Sequence, residues 1–203
     1  MIVVVDYKTG NVGSLLNMLK KIGVSAVISQ DASVVERATK LILPGIGAFD
    51  TGMKNLTGSG LLGIITEKVI EKKTPILGVC LGMQLFSEES EEGRLNGLNW
   101  IEGKVIKFNF QGGNLKVPHM GWNTIVPTRS DVLFQDMPND SRFYFVHSYH
   151  MVCKNQDNIL ATTNYGYDFA SIVRKDNIIG VQFHPEKSHK FGMKLLKNFI
   201  ELC

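Results

Sequence analysis

Apolar positions in the first half of the chain come in short unbroken runs, each followed by a stretch with helical spacing. Ile2–Val5 is such a run, the mark of a strand covered on both faces in a parallel sheet. Leu15, Leu16, Met18, Leu19 and Ile22 then recur at helical spacing, with Asn11 or Ser14 placed to cap the helix and Gly23 to end it. Residues 26–28 and 41–43 read as strands, 61–72 as a helix, 76–79 as a strand and 81–89 as a helix. Repeated β–α units predict an α/β fold with a doubly wound, mostly parallel sheet. The second half is patterned differently. Short segments at 105–108, 123–126, 143–146, 159–163, 170–174 and 178–183 are separated by turn residues and predict an antiparallel extension of that sheet. Phe191, Leu195, Leu196 and Phe199 give residues 189–202 the apolar stripe of a closing amphipathic helix. With no internal repeat, low-complexity tract or linker, residues 1–203 are expected to form a single domain.

Composition narrows the partners. The net charge of +3 is spread along the chain without the Lys/Arg block that tracks phosphates, so no nucleic-acid partner is expected. The basic residues at 184–197 alternate with apolar ones, as on the solvated face of a helix. No apolar stretch approaches the roughly 20 residues of a membrane span, and Met1–Val5 leads straight into Asp6 rather than into a signal peptide. Cys80, Cys153 and Cys203 are odd in number and far apart, which argues against disulfides or a thiol metal site and for a cytoplasmic location. Neither a metal nor a cofactor is expected.

Three segments carry candidate chemistry. In Gly78-Val79-Cys80-Leu81-Gly82 a strand ends and a helix begins, the pattern by which an elbow exposes a nucleophile at the carboxyl edge of a sheet. The small flanking residues allow a strained turn, and the amide of Leu81 is placed to meet an oxyanion. The same pattern also suits a small buried thiol at a strand end. Phe183-His184-Pro185-Glu186 follows another predicted strand, so His184 can serve as base and Glu186 can orient it. Leu43-Pro44-Gly45-Ile46-Gly47 is either a plain turn or a second source of oxyanion amides.

Taken together, PGIG at 44–47, GVCLGMQ at 78–84 and FHPEKS at 183–188 resemble the class I (triad) glutamine amidotransferases, over nearly the whole chain. The resemblance implies their flavodoxin-like fold with an antiparallel extension. It implies that Cys80 attacks the side-chain amide of L-glutamine, that His184 protonates the departing ammonia, and that water hydrolyses the glutamyl thioester with Glu186 holding His184. It also implies an oxyanion hole from Ile46, Gly47 and Leu81, and substrate contacts from Gly45, Gln84 and the segment His147-Ser148-Tyr149.

Ammonia must be captured before it is protonated and diffuses away. The resemblance extends over the full length, so the acceptor site is expected on another polypeptide. Pro118-His119-Met120-Gly121-Trp122-Asn123 is similar to the corresponding segment in glutaminase subunits of imidazole glycerol phosphate synthases. That resemblance implies a heterodimer with a (β/α)8-barrel cyclase subunit, faced by Asn11, Met120, Trp122, Asn123 and Lys187. One departure stands out: Asp6-Tyr7-Lys8-Thr9-Gly10-Asn11 has Lys8 where the family has glycine. Alternatives are a paralogous glutaminase that supplies ammonia for amidating a surface-polysaccharide sugar, a stand-alone cysteine hydrolase, and a degenerate binding scaffold, against which the intact Cys80, His184 and Glu186 argue.

Overall fold

The computed structural model describes residues 1–111 and 115–203. Strands β1 (Ile2–Val5), β2 (Ala26–Ser29), β3 (Lys40–Gly45) and β4 (Ile76–Cys80) alternate with helices α1 (Val12–Lys21), α2 (Ala32–Glu36), α3 (Phe49–Gly58), α4 (Leu62–Thr66) and α5 (Leu81–Gln84). Strands dominate thereafter: β5 (Glu89–Ser90), β6 (Gly103–Lys107), β7 (His119–Thr124), β8 (Val126–Pro127) and β9 (Arg142–His147). They continue with β10 (Tyr149–Cys153), β11 (Ile159–Asn164), β12 (Asp168–Lys175) and β13 (Ile178–Val181), and α6 (His189–Leu202) follows.

The parallel core runs β2-β1-β3-β4-β13, the strand order of flavodoxin-like sheets. The sheet continues through β12, β10 and β6 with antiparallel pairings, and ends in the short parallel pair β6–β5. β7 and β9 form a separate antiparallel ribbon.

Strands β1, β3, β4 and β13 read as unbroken apolar runs because both faces are covered. Val4, Ile42 and Leu77 pack with Leu15 and Leu19 of α1 and Leu195, Leu196 and Phe199 of α6. Their neighbours Val3, Leu41 and Ile76 face the other layer, built from Phe49, Leu56, Ile65 and Leu81. Each fully buried Leu, Ile or Val contributes roughly 1.5–3 kcal/mol, so strands of only four to six residues hold their place.

Helices α2 and α3 have no counterpart in the expected pattern, the segments of β7 and β9 stand apart from the sheet they were expected to extend, and two expected helices differ in extent. The helix after β4 stops at Gln84 instead of running to 89, because the carbonyls of Leu85, Phe86 and Ser87 turn away to accept from Leu98, Trp100 and Asn99. The expected helix 61–72 is α-helical only to Thr66 and continues as a π-type turn over Glu67–Glu71. Among the described residues, no helix is long and apolar enough to cross a membrane, and no cluster of His, Cys, Asp and Glu is able to hold a metal ion. The parallel order brings the carboxyl ends of β3, β4 and β13 side by side at one edge, where Gly45 pairs with Cys80.

Candidate active site

Cys80 ends β4 with φ 55° and ψ −109°, in the left-handed half of backbone space that a residue with a Cβ adopts at a cost of about 1–3 kcal/mol. The turn is made possible by close packing on either side. A Cβ on Gly82 would stand 1.9 Å from the carbonyl oxygen of Leu43, and one on Gly78 would stand 2.6 Å from the ring of Phe86. Only glycine lets α5 start so close to β3. The resulting elbow points Cys80 into a cleft of about 480 Å³.

His184 lines the same cleft. Its backbone N–H donates to the carbonyl of Tyr144 at 2.9 Å, and the Ser188 hydroxyl donates to its carbonyl at 2.6 Å, fixing the turn from both sides. Nδ1 lies 2.7 Å from Glu186 Oε1, and both side chains are almost fully buried. Burial alone would lower the pKa of this imidazole, but the neighbouring Cys80 sulfur and the hydrogen bond to Glu186 outweigh it, and the pKa rises to about 10. His184 therefore holds a proton beside the sulfur. Such an arrangement can deliver that proton to a leaving group and recover one from water.

The other expected site residues gather around this pair. Ile46, Gly47, Leu81, Gln84, His147, Ser148 and Tyr149 all line the cleft. Gly47 takes φ 92° and Ile46 is exposed. The loop that carries them rests on the 6–11 segment: a Cβ on Gly45 would meet the Tyr7 hydroxyl at 2.7 Å, and one on Gly10 would meet Pro44 at 3.1 Å. Lys8, the departure from the family pattern, takes φ 62°, a conformation for which glycine is the unstrained residue.

Two of the gathered side chains are already committed. Gln84 is buried and donates from Nε2 to the Tyr149 carbonyl at 3.1 Å and to Gln182 Oε1 at 3.0 Å. His147 lies within hydrogen-bond distance of the same carbonyl through Nδ1 at 2.8 Å, and its Nε2 lies 3.0 Å from His119 Nδ1. Burial, aided by neighbouring histidines, pushes the pKa of His147 down to about 3, and burial pushes His119 down to about 4. Both rings are thus neutral struts.

Two polar residues at the site, Glu92 and Gln182, were not expected from the chain pattern. Glu92 brings a carboxylate to the cleft wall, where Oε2 accepts the Phe49 N–H at 2.8 Å and caps α3 from outside. Gln182 lies beneath the elbow, its Nε2 3.7 Å from Cys80 Sγ. Neither belongs to a local motif. A polar residue directly after an apolar strand was the one available hint for Gln182.

The expected partner-facing residues divide between two faces. Strand alternation exposes Met120 and Trp122 on one side of β7. Trp122 stacks on His189 and meets Tyr144 edge-on, and Lys187 lies over the Tyr144 ring at 5.7 Å. Exposed Asn11 caps α1 by accepting from the Ser14 N–H. Asn123 falls on the opposite face of β7, where Nδ2 donates to the Asn164 carbonyl at 2.9 Å and lies 3.3 Å from His119 Nε2.

Residues 3–202 match the sequence model of a family described as glutamine amidotransferase class-I. Over 201 residues the chain is 54% identical to imidazole glycerol phosphate synthase subunit HisH 2 of Methanococcus maripaludis, covering 99% of each. It is 52% identical to a protein of the same name in Pseudomonas aeruginosa, covering 100% of each. It is 46% identical to imidazole glycerol phosphate synthase subunit HisH of Bdellovibrio bacteriovorus, again covering 100% of each. A solved structure described as a glutamine amidotransferase superposes with a TM-score of 0.75 at 22% identity, covering 100% of this chain and 98% of that one, a likeness of fold.

Proposed function

The chain belongs to the class I glutamine amidotransferase family, and from that membership we propose that it is the glutaminase subunit of a two-chain imidazole glycerol phosphate synthase. L-Glutamine enters the cleft with its side-chain amide at Cys80. The thiolate sulfur attacks the amide carbon, and the charge that develops on oxygen is met by the amides of Leu81 and of the Ile46–Gly47 turn. His184 passes its proton to the nitrogen, the C–N bond breaks, and ammonia leaves a glutamyl thioester on Cys80. Water then attacks the thioester carbon while His184 takes the proton of that water, releasing glutamate and restoring the thiolate. Glu186 keeps the imidazole in the required orientation.

Substrate binding follows from the charges of an amino acid. Glu92 suits the α-ammonium group, while Gly45, Gln84 and the 147–149 segment frame the rest. Asn11, Met120, Trp122 and Lys187 seat a barrel-type cyclase subunit, with Asn123 bracing β7 from behind. Ammonia passes to that subunit, which forms imidazole glycerol phosphate and an aminoimidazole carboxamide ribotide for histidine biosynthesis. Free Cys80, Cys153 and Cys203 suit a reducing compartment, and the cytoplasm is the proposed location.

The observation that carries this reading is the strained Cys80 elbow facing a His184 that is buried against Glu186. Its test is Cys80→Ala assayed with the cyclase partner. Glutamine-dependent product formation should vanish while ammonium-dependent formation persists. Survival of the glutamine-dependent reaction would remove Cys80 from the mechanism. A second reading, a duplicate glutaminase that feeds amidation of a surface-polysaccharide sugar, is favoured by the strained Lys8 in place of glycine beside the loop. Rescue of a histidine auxotroph that lacks its own glutaminase subunit separates the two.

A further inference from the structure

Gln182 is fully buried directly after β13, and its carboxamide has a direction that the surrounding bonds determine. The Tyr149 carbonyl can only accept, so the atom of Gln84 lying 3.1 Å from it is the amide nitrogen. That nitrogen also faces Gln182 at 3.0 Å, so the atom it meets there is the Gln182 oxygen. The Gln182 nitrogen is left pointing at Cys80 Sγ, 3.7 Å away, within hydrogen-bond range of the larger sulfur atom. The histidine struts reinforce the anchor. His147 Nδ1–H donates to the same Tyr149 carbonyl, which makes its Nε2 an acceptor for His119 Nδ1–H, and His119 Nε2 in turn accepts from Asn123. Reversing any one amide or ring in this chain would set donor against donor or acceptor against acceptor.

We propose that Gln182 is a further catalytic residue of this chain, its carboxamide donating to the Cys80 sulfur when that sulfur carries negative charge, with Gln84 as the positioning residue that aims it. The proposal rests on Cys80 being the nucleophile. A buried glutamine with a purely structural role needs a partner for its NH2 group, and among the described residues the partner recorded for it is the reacting atom itself. An N–H bond to a neutral thiol is weak, whereas one to a thiolate is charge-assisted. The Gln182 bond therefore favours the two stages at which sulfur is an anion. At the first, the sulfur electron pair forms the S–C bond. At the second, water attacks the thioester, the S–C bond breaks, and the pair returns to sulfur as His184 takes the proton of that water. The bond is weakest in between, when the sulfur is neutral in the thioester.

The test compares Gln182→Leu, which keeps much of the volume and removes the donor, with the wild-type protein. Alkylation of Cys80 by iodoacetamide, followed by peptide mass spectrometry across a pH series, reads the thiolate directly and needs no substrate. The pH of half-maximal alkylation is expected to move up by about one unit in Gln182→Leu. Glutaminase kcat in the complex with the cyclase is expected to fall about 10- to 100-fold, the range of one hydrogen bond to a charged group, with ammonium-dependent synthesis retained. If Gln182→Leu does not fold, Gln84→Met takes its place, since it frees the Gln182 amide to turn and should shift the alkylation profile in the same direction. A folded Gln182→Leu variant with an unchanged alkylation profile and kcat within about twofold of wild type would overturn the proposal. Glutamine hydrolysis by Cys80→Ala would instead overturn the nucleophile reading beneath it, so the two failures are told apart.

Discussion

Lowering the pH from about 7 to about 5 is expected to destabilise the protein, and His147→Gln is expected to remove a defined part of that loss. The His147 imidazole is buried, with Nδ1 committed to the Tyr149 carbonyl and Nε2 to His119. Burial first, then the neighbouring histidines, push its pKa from 6.5 to about 3. The folded value lies below the unfolded one, so as pH falls through 6.5 the unfolded chain takes up a proton that the folded protein refuses. Stability therefore falls from that point and levels off only near the folded value. At pH 5 the group stands about 1.5 units below its unfolded pKa, and at ~1.4 kcal/mol per unit this amounts to about 2 kcal/mol. Glutamine at 147 takes up no proton and keeps a donor for the Tyr149 carbonyl. Urea unfolding of both proteins at the two pH values measures the difference directly. The wild type should lose about 2 kcal/mol more than the variant. Equal losses would refute the assignment of His147 as a buried neutral strut.

Gly82→Ala places a methyl group 1.9 Å from the Leu43 carbonyl oxygen, and the overpacking should cost about 2–3 kcal/mol. An unchanged thermal midpoint would contradict the close approach of α5 to β3. Glu186→Gln withdraws the carboxylate from His184 Nδ1, and kcat for glutamine hydrolysis should fall on the order of 10³-fold with KM little changed. Steady-state kinetics showing less than about a tenfold loss would remove Glu186 from its orienting role. Trp122→Ala removes a half-exposed ring that stacks on His189 and meets Tyr144 edge-on, so the isolated chain should lose no more than about 1.5 kcal/mol. Its affinity for the cyclase, read by titration calorimetry, should drop by about 30-fold or more, as for an interface hot spot.

What was legible in the chain was local. Runs such as Ile2–Val5 and the one at 76–79 announce parallel strands because both faces are buried. The glycines around Cys80 and the pairing of His184 with a carboxylate two residues on compressed their geometry into a few positions. What the chain leaves unmarked depends on residues far apart. Helix α3 begins at Phe49 with Ala48 at its cap and no side-chain cap bond of its own; Glu92 supplies the acceptor from 43 positions away. The helix after the elbow was expected to run to 89, yet the 98–100 segment takes the carbonyls that would have continued it. Gln182 had no motif to mark it, because its meaning comes from Gln84, 98 positions earlier. Asn123 sits next to exposed Trp122 in sequence, and the period of two in a strand sends it to the other face.

In the proposed mechanism Cys80 carries the glutamyl group between the loss of ammonia and the arrival of water. Rapid acid quenching of the complex during turnover with glutamine, followed by digestion and mass spectrometry, locates that group. A glutamyl increment on the peptide bearing Cys80, absent from Cys80→Ser and lost on standing with hydroxylamine, is the predicted result. Turnover with no adduct on that peptide, or with the glutamyl group on another residue, would rule out Cys80 as the acyl carrier.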